Sequence, residues 1–318
     1  MWKHKVAIQC ILAHIPYGEH LNHALQRVSG SWGAQQAKSR LVPRARSITS
    51  VSEHIKLEGA TVVEVGPGWD LIGSILLHLL GAKTIYAYDH VPHARLSLVG
   101  YLLQGARLGL RELSELTGVG QDLLEKRVGA LEGASTLEEL MERAGIIYCA
   151  PADACRTGLG KQSVDLFFSY AVLEHVPPQI VDDLTREARR VLRSDGVLFH
   201  VISMGDHYNQ ADSRLSSVNF LKYPEWLWNL LVQNRISYHN RMRECEFLGI
   251  FSRHEGQILR QRSSVDSKAL KALQTMRVCR RFANMTPEQL AVERTEIAMR
   301  FPPGMPEPSH QPVRSLRQ

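Results

Sequence analysis

Val63-Glu64-Val65-Gly66-Pro67-Gly68-Trp69-Asp70 is the stretch on which the fold turns. Its first half belongs to Thr61–Val65, a short β-branched run that reads as a buried parallel strand. The Gly66-Pro67-Gly68 turn ends that strand. Residues 70–80 follow with apolar side chains at helical spacing (Leu71, Ile75, Leu76, Leu79), and Gly81 closes the helix. Thr84–Tyr88 reads as a second strand, ending at Asp89. Strand, helix and strand fit within about thirty residues, the size of a βαβ unit.

Working outward, residues 91–145 carry helical patterns only, with Leu96, Val99, Leu102 and Leu103 marking one helix. Ile146–Cys149 reads as a third strand, with Asp153 just after it, 164–168 as a fourth and 196–202 as a fifth. Between the last two, 177–192 reads as a helix with Asp182 and Asp183 early and Arg186, Arg189 and Arg190 late, as the helix dipole favours. A helix at 241–248 and a closing strand pair at 254–259 and 295–301 complete the pattern. Strands alternating with helices predict an α/β fold, a doubly wound, mostly parallel seven-stranded sheet with helical inserts forming a cap. The expected organisation is a helical lead-in over 1–50, one domain over 51–301 with 91–145 and 203–240 as the cap, and a proline-rich disordered tail over 302–318.

The chain has 318 residues, 44% apolar and 22% charged, which suits a large core and argues against wholesale disorder. The net charge of +6 is modest and reads first as a few surface arginines. The five cysteines are odd in number and irregular in spacing, which excludes a disulfide framework and suggests a reducing compartment, so a cytoplasmic location is expected. Residues 6–15 are mostly apolar behind Lys3 and Lys5. Gln9 and His14 interrupt them and Tyr17-Gly18-Glu19 offers no small-x-small cleavage site, so the segment reads as part of the fold. No apolar run is long enough to span a bilayer. No interleaved aromatic and basic motif speaks for nucleic acid.

A glycine-rich turn between strand and helix lets backbone approach a ligand closely, and the helix N-terminus beyond it favours a negative group. A dinucleotide fingerprint would need glycine at position 71, where Leu71 stands. Asp89 ends its strand about where such folds place a ribose-binding acid. Ligands of open α/β sheets sit outside the carboxyl ends of the strands, which puts 64–70, Asp89, Asp153 and 169–175 on one rim. No His/Asp/Glu/Cys group shows metal-ligand spacing along the chain, so no metal is expected.

At these strand ends the sequence resembles the class I (Rossmann-like) S-adenosylmethionine-dependent methyltransferases. Glu64-Val65-Gly66-Pro67-Gly68 is similar to their first glycine-rich motif, with Asp70 where the fuller pattern has a third glycine. Asp89, with His90 beside it, matches the acid that holds both ribose hydroxyls. Asp153, with Ala154 beside it, matches the residue near the adenine amino group. The DLFFSYAVLEHV run (165–176) is similar to the motif lining the methyl-transfer site, and LRSDGVLFHV (192–201) to the segment entering the fifth strand. The resemblance covers 61–202 and, less specifically, 241–301. It implies S-adenosyl-L-methionine as cofactor, held by Glu64, Gly66, Pro67, Gly68, Asp89, His90, Asp153, Ala154, Ser169 and Tyr170. Trp69 and Tyr170 are candidates to meet the cationic sulfonium or the adenine face; Phe168 reads as core.

The inserts would choose the acceptor. The DHY (206–208) and NRMR (240–243) segments look similar to those of some methyltransferases found with polysaccharide-biosynthesis genes, which implies a hydroxyl of a small molecule or saccharide as acceptor, with a lipid and, ranked lower, RNA reached through the basic lead-in as alternatives. Candidate bases on the rim are His175 and the pair Asp206-His207, since histidine titrates near neutral pH. DHY reads equally well as a turn whose polar residues cap the loop. Two other readings stay open here: a non-catalytic S-adenosylmethionine-binding module, and a nucleotide-dependent oxidoreductase, against which Leu71 argues. Oligomeric state is not legible.

Overall fold

In the computed structural model of the protein, which describes residues 2–16, 18, 21–22, 32–210, 212, 214–234 and 236–302, the run Thr61–Val65 is the central strand β1 of a seven-stranded sheet. The others are β2 (Thr84–Tyr88), β3 (Ile146–Cys149), β4 (Val164–Tyr170), β5 (Leu192–Ser203), β6 (Gln257–Val265) and β7 (Val292–Arg300), in the order β3-β2-β1-β4-β5-β7-β6. β1 pairs in parallel with β2 and β4, β2 with β3, and β4 with β5, while β7 runs antiparallel to both β5 and β6. The chain steps outward to β3 and then returns to the other side of β1. The topological switch point, where such sheets bind ligands, therefore lies between β1 and β4.

The first three strands have the bounds read from the sequence, because each is a short apolar run closed by turn residues. β6 is longer than expected. It is an edge strand, largely exposed and rich in Arg, Gln and Ser, so it lacks an apolar alternation that marks its ends.

The helices are α1 (Trp2–His14), α2 (Ala34–Ser50), α3 (Ile72–Leu79), α4 (Leu96–Leu108), α5 (Leu110–Thr117), α6 (Gln121–Leu131), α7 (Leu137–Arg143), α8 (Pro178–Val191), α9 (Glu225–Leu231), α10 (Glu244–Ser252), α11 (Ser267–Leu273) and α12 (Pro287–Leu290). Strand pleating sends Val62, Leu166 and Phe168 into one core and Val63 and Phe167 into the other. The first core is closed by α2 to α7, through residues such as Leu41, Ile48, Ile75, Leu102 and Leu124. The second is closed by α8 and α10, through Leu184, Ala188, Phe247 and Phe251. This is a doubly wound sheet.

Two expectations meet a different arrangement. Residues 91–145 do not lie across the strand ends as a cap. Leu102, Leu103, Leu113, Leu124, Leu131 and Leu140 are buried in the same core as β1, β2 and α2, so these helices are a layer on the sheet face. The helix expected at 241–248 starts instead at Glu244 and runs through Gly249 to Ser252, because Arg241 and Arg243 are used to anchor the preceding chain. The second insert, 203–240, does build a separate lobe. Tyr208, Phe220 and Trp228 pack there with Val6 of α1, Phe282 and Leu290. Among the described residues no helix is long and apolar enough to cross a membrane, and no disulfide joins the five cysteines. The expected disordered tail falls, apart from residue 302, outside the described residues.

Candidate functional site

At the switch point the chain leaves β1 through Gly66 (φ 69°) and Gly68 (φ 74°), both in the left-handed region that glycine adopts without strain. Gly66 is also a close approach: a Cβ there would lie 2.6 Å from Cγ2 of Val172, in the turn after β4. Gly68 differs, because nothing lies within 4 Å of where its Cβ would be. That space belongs to a cleft of about 320 Å³ between the glycine turn, α2 and Tyr170. Glu64 does not reach out over the turn. It is 3% exposed, accepts a hydrogen bond from Ser74 of α3, and needs Gly73, whose Cβ would overlap its carboxylate. Burial pushes the Glu64 carboxyl up to about 7, with the Ser74 bond opposing.

The cleft walls are aromatic and cationic. Trp69 stacks between Trp32 (centroids 6.4 Å apart) and His93 (5.8 Å). The Arg44 guanidinium lies 4.5 Å over the Tyr170 ring, and Arg294 lies 5.2 Å from the same ring. Arg40 pairs with Asp70 at 2.6 Å. Trp32, Arg40, Arg44 and His93 were not among the candidate site residues of the sequence; the signal for the two arginines is their place in the basic end of the lead-in and their four-residue spacing, which puts them on one helix face. Phe168 stacks on Phe199 inside the core, as its sequence context suggested.

The remaining candidate ligand residues divide. Asp89 is 7% exposed beside the glycine turn, whose Gly66 N donates to Tyr88 O at 2.8 Å. Its carboxylate accepts from His90 Nδ1 at 3.1 Å, and His90 itself is exposed. Ala152 N donates to Asp89 O, which brings Asp153 and Ala154 onto the same rim. The Asp153 carboxylate accepts from Cys155 N at 2.9 Å as a turn cap, and Ala154 is buried in the second core. Ser169 departs from its expected role. Strand alternation turns its hydroxyl away from the cleft into the interior, where it is hydrogen-bonded to Nδ1 of the buried His200 at 2.7 Å. Burial pushes His200 down to about 3, so it stays neutral.

A second pocket, of about 200 Å³, opens at the ends of β4 and β5. Here His175 and His207 meet, their ring centroids 4.8 Å apart, with His239 4.9 Å from His207 and 5.8 Å from His175. His175 Nδ1 donates to Tyr238 O at 2.9 Å, and burial lowers its pKa, so the neutral ring presents Nε2. Asp206 is 3% exposed and accepts from Tyr208 N at 2.9 Å, the cap of the short turn that follows. Burial pushes Asp206 up to about 6 against that bond and one from Asn219. Glu174 is 1% exposed, and burial pushes it up to about 8, offset only in part by the backbone N–H groups of Glu174 and Ser203.

The NRMR segment holds this pocket together. Asn240 Nδ2 donates to Leu173 O (2.7 Å) and Val176 O (2.8 Å), and Asn240 N to Glu174 O (3.0 Å), so the turn after β4 is tied to the chain after His239. The fully buried Arg241 donates to Phe220 O and Tyr223 O and pairs with Glu225. The fully buried Arg243 donates to Met204 O (2.6 Å), Leu290 O (3.0 Å) and Val292 O.

A methyltransferase domain family model matches residues 111–200, which hold β3, β4, α8 and the start of β5. The glycine turn and Asp89 lie outside that match. Among solved structures the chain is similar to an S-adenosylmethionine-dependent methyltransferase of Mesorhizobium loti, with 16% identity over 77% of this chain and 92% of that one at a TM-score of 0.41. It is also similar to a geranyl diphosphate C-methyltransferase of Streptomyces coelicolor A3(2), with 11% identity over 79% of this chain and 78% of that one at a TM-score of 0.41. No curated protein matches the chain. The family match thus lies on strands β3 to β5 of a doubly wound, mostly parallel sheet, and residues 111–200 are a methyltransferase domain by that match.

Proposed function

We propose that the protein methylates a hydroxyl of a small molecule or saccharide bound in the histidine pocket. The observation that carries this reading is the turn of residues 170–175. One end of it, Tyr170 and Ala171, lines the cleft at the glycine turn; the other, His175, lines the pocket with His207. A single tight turn thus joins a cofactor-sized cleft to a site with two imidazoles.

The cleft fits S-adenosylmethionine by its own features. The open volume beyond Gly68 is where a side chain would stand in any other residue, and the aromatic faces of Trp69 and Tyr170 suit a cation. Bound there, the cofactor supplies the activated methyl group. Asp89 would hold the ribose hydroxyls, and Arg44 with the start of α3 would face the carboxylate. The acceptor hydroxyl must lose a proton during or after attack, and His207 is the proposed base, with His175 orienting the acceptor. Asp206, engaged with Tyr208 N and Asn219, acts as the residue that fixes the turn carrying His207.

Two outcomes follow. Asp89→Ala weakens S-adenosylmethionine binding by about 2 kcal/mol, the scale for leaving polar partners unpaired; equal calorimetric affinities would remove Asp89 from the ribose site. His207→Ala lowers methyl transfer by about 10²–10⁴-fold while cofactor affinity stays within about twofold. The assay is release of S-adenosylhomocysteine against a panel of saccharides and small diols, with the methylated atom located by mass spectrometry. Methylation of nitrogen or carbon, or of nothing in a protein that binds the cofactor, would overturn the hydroxyl reading.

A further inference from the structure

We propose that Glu174, His175 and His207 form a binding site for a divalent cation of the zinc class. One ligand atom from each, a carboxylate oxygen and two imidazole nitrogens, can be chosen so that all three lie within 4.8 Å of one another. In a tetrahedral shell with ligands at about 2.1 Å from the ion, neighbouring ligand atoms stand about 3.4 Å apart, so a closure of roughly 1 Å in the widest pair, within reach of side-chain rotation, brings them to bonding distance.

Glu174 gives the decisive observation. Its side chain is 1% exposed, and although the backbone N–H groups of Glu174 and Ser203 lie near its carboxyl, neither oxygen makes a hydrogen bond of ordinary geometry. Other buried carboxylates of this chain have donors: Glu64 has Ser74, Asp206 has Tyr208 N, and Asp182 has Arg253 and His254. A buried acid with no partner is costly, and it is retained when a cation completes it. The imidazoles are prepared in the same sense. The Nδ1–H of His175 is committed to Tyr238 O, the type of outer hydrogen bond that fixes a metal-binding histidine with its other nitrogen forward. His239, packed against both rings, accepts from Arg241 N at Nδ1, so its neutral ring carries hydrogen on Nε2. It is a donor beside the site rather than a fourth ligand.

Two imidazoles and one carboxylate suit zinc, cobalt or iron better than magnesium or calcium, which prefer all-oxygen shells. Three protein ligands leave a coordination position open, and these residues border the 200 Å³ pocket. An ion there would bind an oxygen of the incoming molecule and lower the pKa of a hydroxyl, and would replace His207 as the means of deprotonation, since the lone pair of that imidazole would then be committed to the ion. That role rests on reading the pocket as the acceptor site; the binding of the ion does not. The three residues are invisible as a motif because His207 comes from a different strand end.

The test is uptake of cobalt(II) by full-length protein after dialysis against chelator, read by visible d–d absorption and by metal analysis, with zinc(II) competing. One equivalent per chain is expected, with an absorption band of nitrogen–oxygen ligation. Glu174→Gln, which keeps shape and removes the charge, and His207→Ala each lower the affinity by roughly 100-fold, while His90→Ala, at the exposed histidine, leaves it unchanged. Thermal melts of each variant without metal establish that it is folded; if His207→Ala is not, His207→Gln replaces it. Substoichiometric uptake by wild type, or Glu174→Gln binding cobalt as tightly as wild type, overturns the proposal. Cobalt bound at one equivalent by a protein that methylates no hydroxyl would sink the proposed function and leave this site standing.

Discussion

Gly68→Val is expected to reduce S-adenosylmethionine binding by at least about 100-fold while the protein stays folded. The two glycines of the turn should differ in this respect. At Gly68 the new side chain meets no protein atom within 4 Å and projects into the cleft, so the fold bears only the left-handed backbone strain, about 1–2 kcal/mol. The ligand, by contrast, meets an isopropyl group where it needs bare backbone. At Gly66 a Cβ collides with Val172 at 2.6 Å in addition to the strain, so Gly66→Val should lose several kcal/mol of stability, and Val172→Ala should restore part of it. Calorimetric titration with S-adenosylmethionine, beside urea melts of the variants, separates the two effects. A Gly68→Val protein that binds normally would remove this turn from the cofactor site; one that unfolds outright would make the turn a packing device.

Arg243→Met is expected to cost about 3 kcal/mol or more. The guanidinium is 0% exposed and donates to three backbone carbonyls, of Met204, Leu290 and Val292. Burial lowers its pKa to about 10, which leaves it charged at neutral pH, and Glu246 and Glu244 support that charge. Methionine fills most of the volume but orphans three buried acceptors, each worth about 1 kcal/mol net and more when left unsatisfied. These carbonyls belong to the end of β5, the end of α12 and the start of β7, so the loss should spread to the lobe of residues 203–240. Denaturant unfolding measures the stability, and hydrogen exchange in 203–240 shows whether the lobe loosens first. A loss under about 1 kcal/mol, with exchange unchanged, would mean that water or a neighbouring donor replaces the arginine.

The family match covers β3 to the start of β5 and says nothing of the glycine turn. The turn, Asp89 and most of the cleft lie outside it. The histidine pocket straddles the end of the matched stretch: His175 is inside it, and His207 and His239 are beyond it.

What could be read from the chain by itself was whatever is decided within a few residues. β1, β2 and β3 are short apolar runs bounded by turn formers, so their ends were visible, and so was the Gly66-Pro67-Gly68 turn with its acid at Asp89. The amphipathic pattern of Pro178–Val191 was equally local. Tertiary structure alone decided the rest. The helices of 91–145 have the same leucine spacing whether they cap a site or cover a sheet, and only packing against Leu41 and Ile48 makes them a layer. Ser169 and Tyr170 are neighbours, yet the strand pleat turns one toward His200 and the other toward Arg44. Glu174, His175, His207 and His239 come from three separate segments, and what brings them together is a set of long-range hydrogen bonds from Asn240, together with the buried anchors Arg241 and Arg243. Periodicity reports on which side of an element is apolar. It carries no information about which element will stand opposite, because that is set by burial summed over the whole chain.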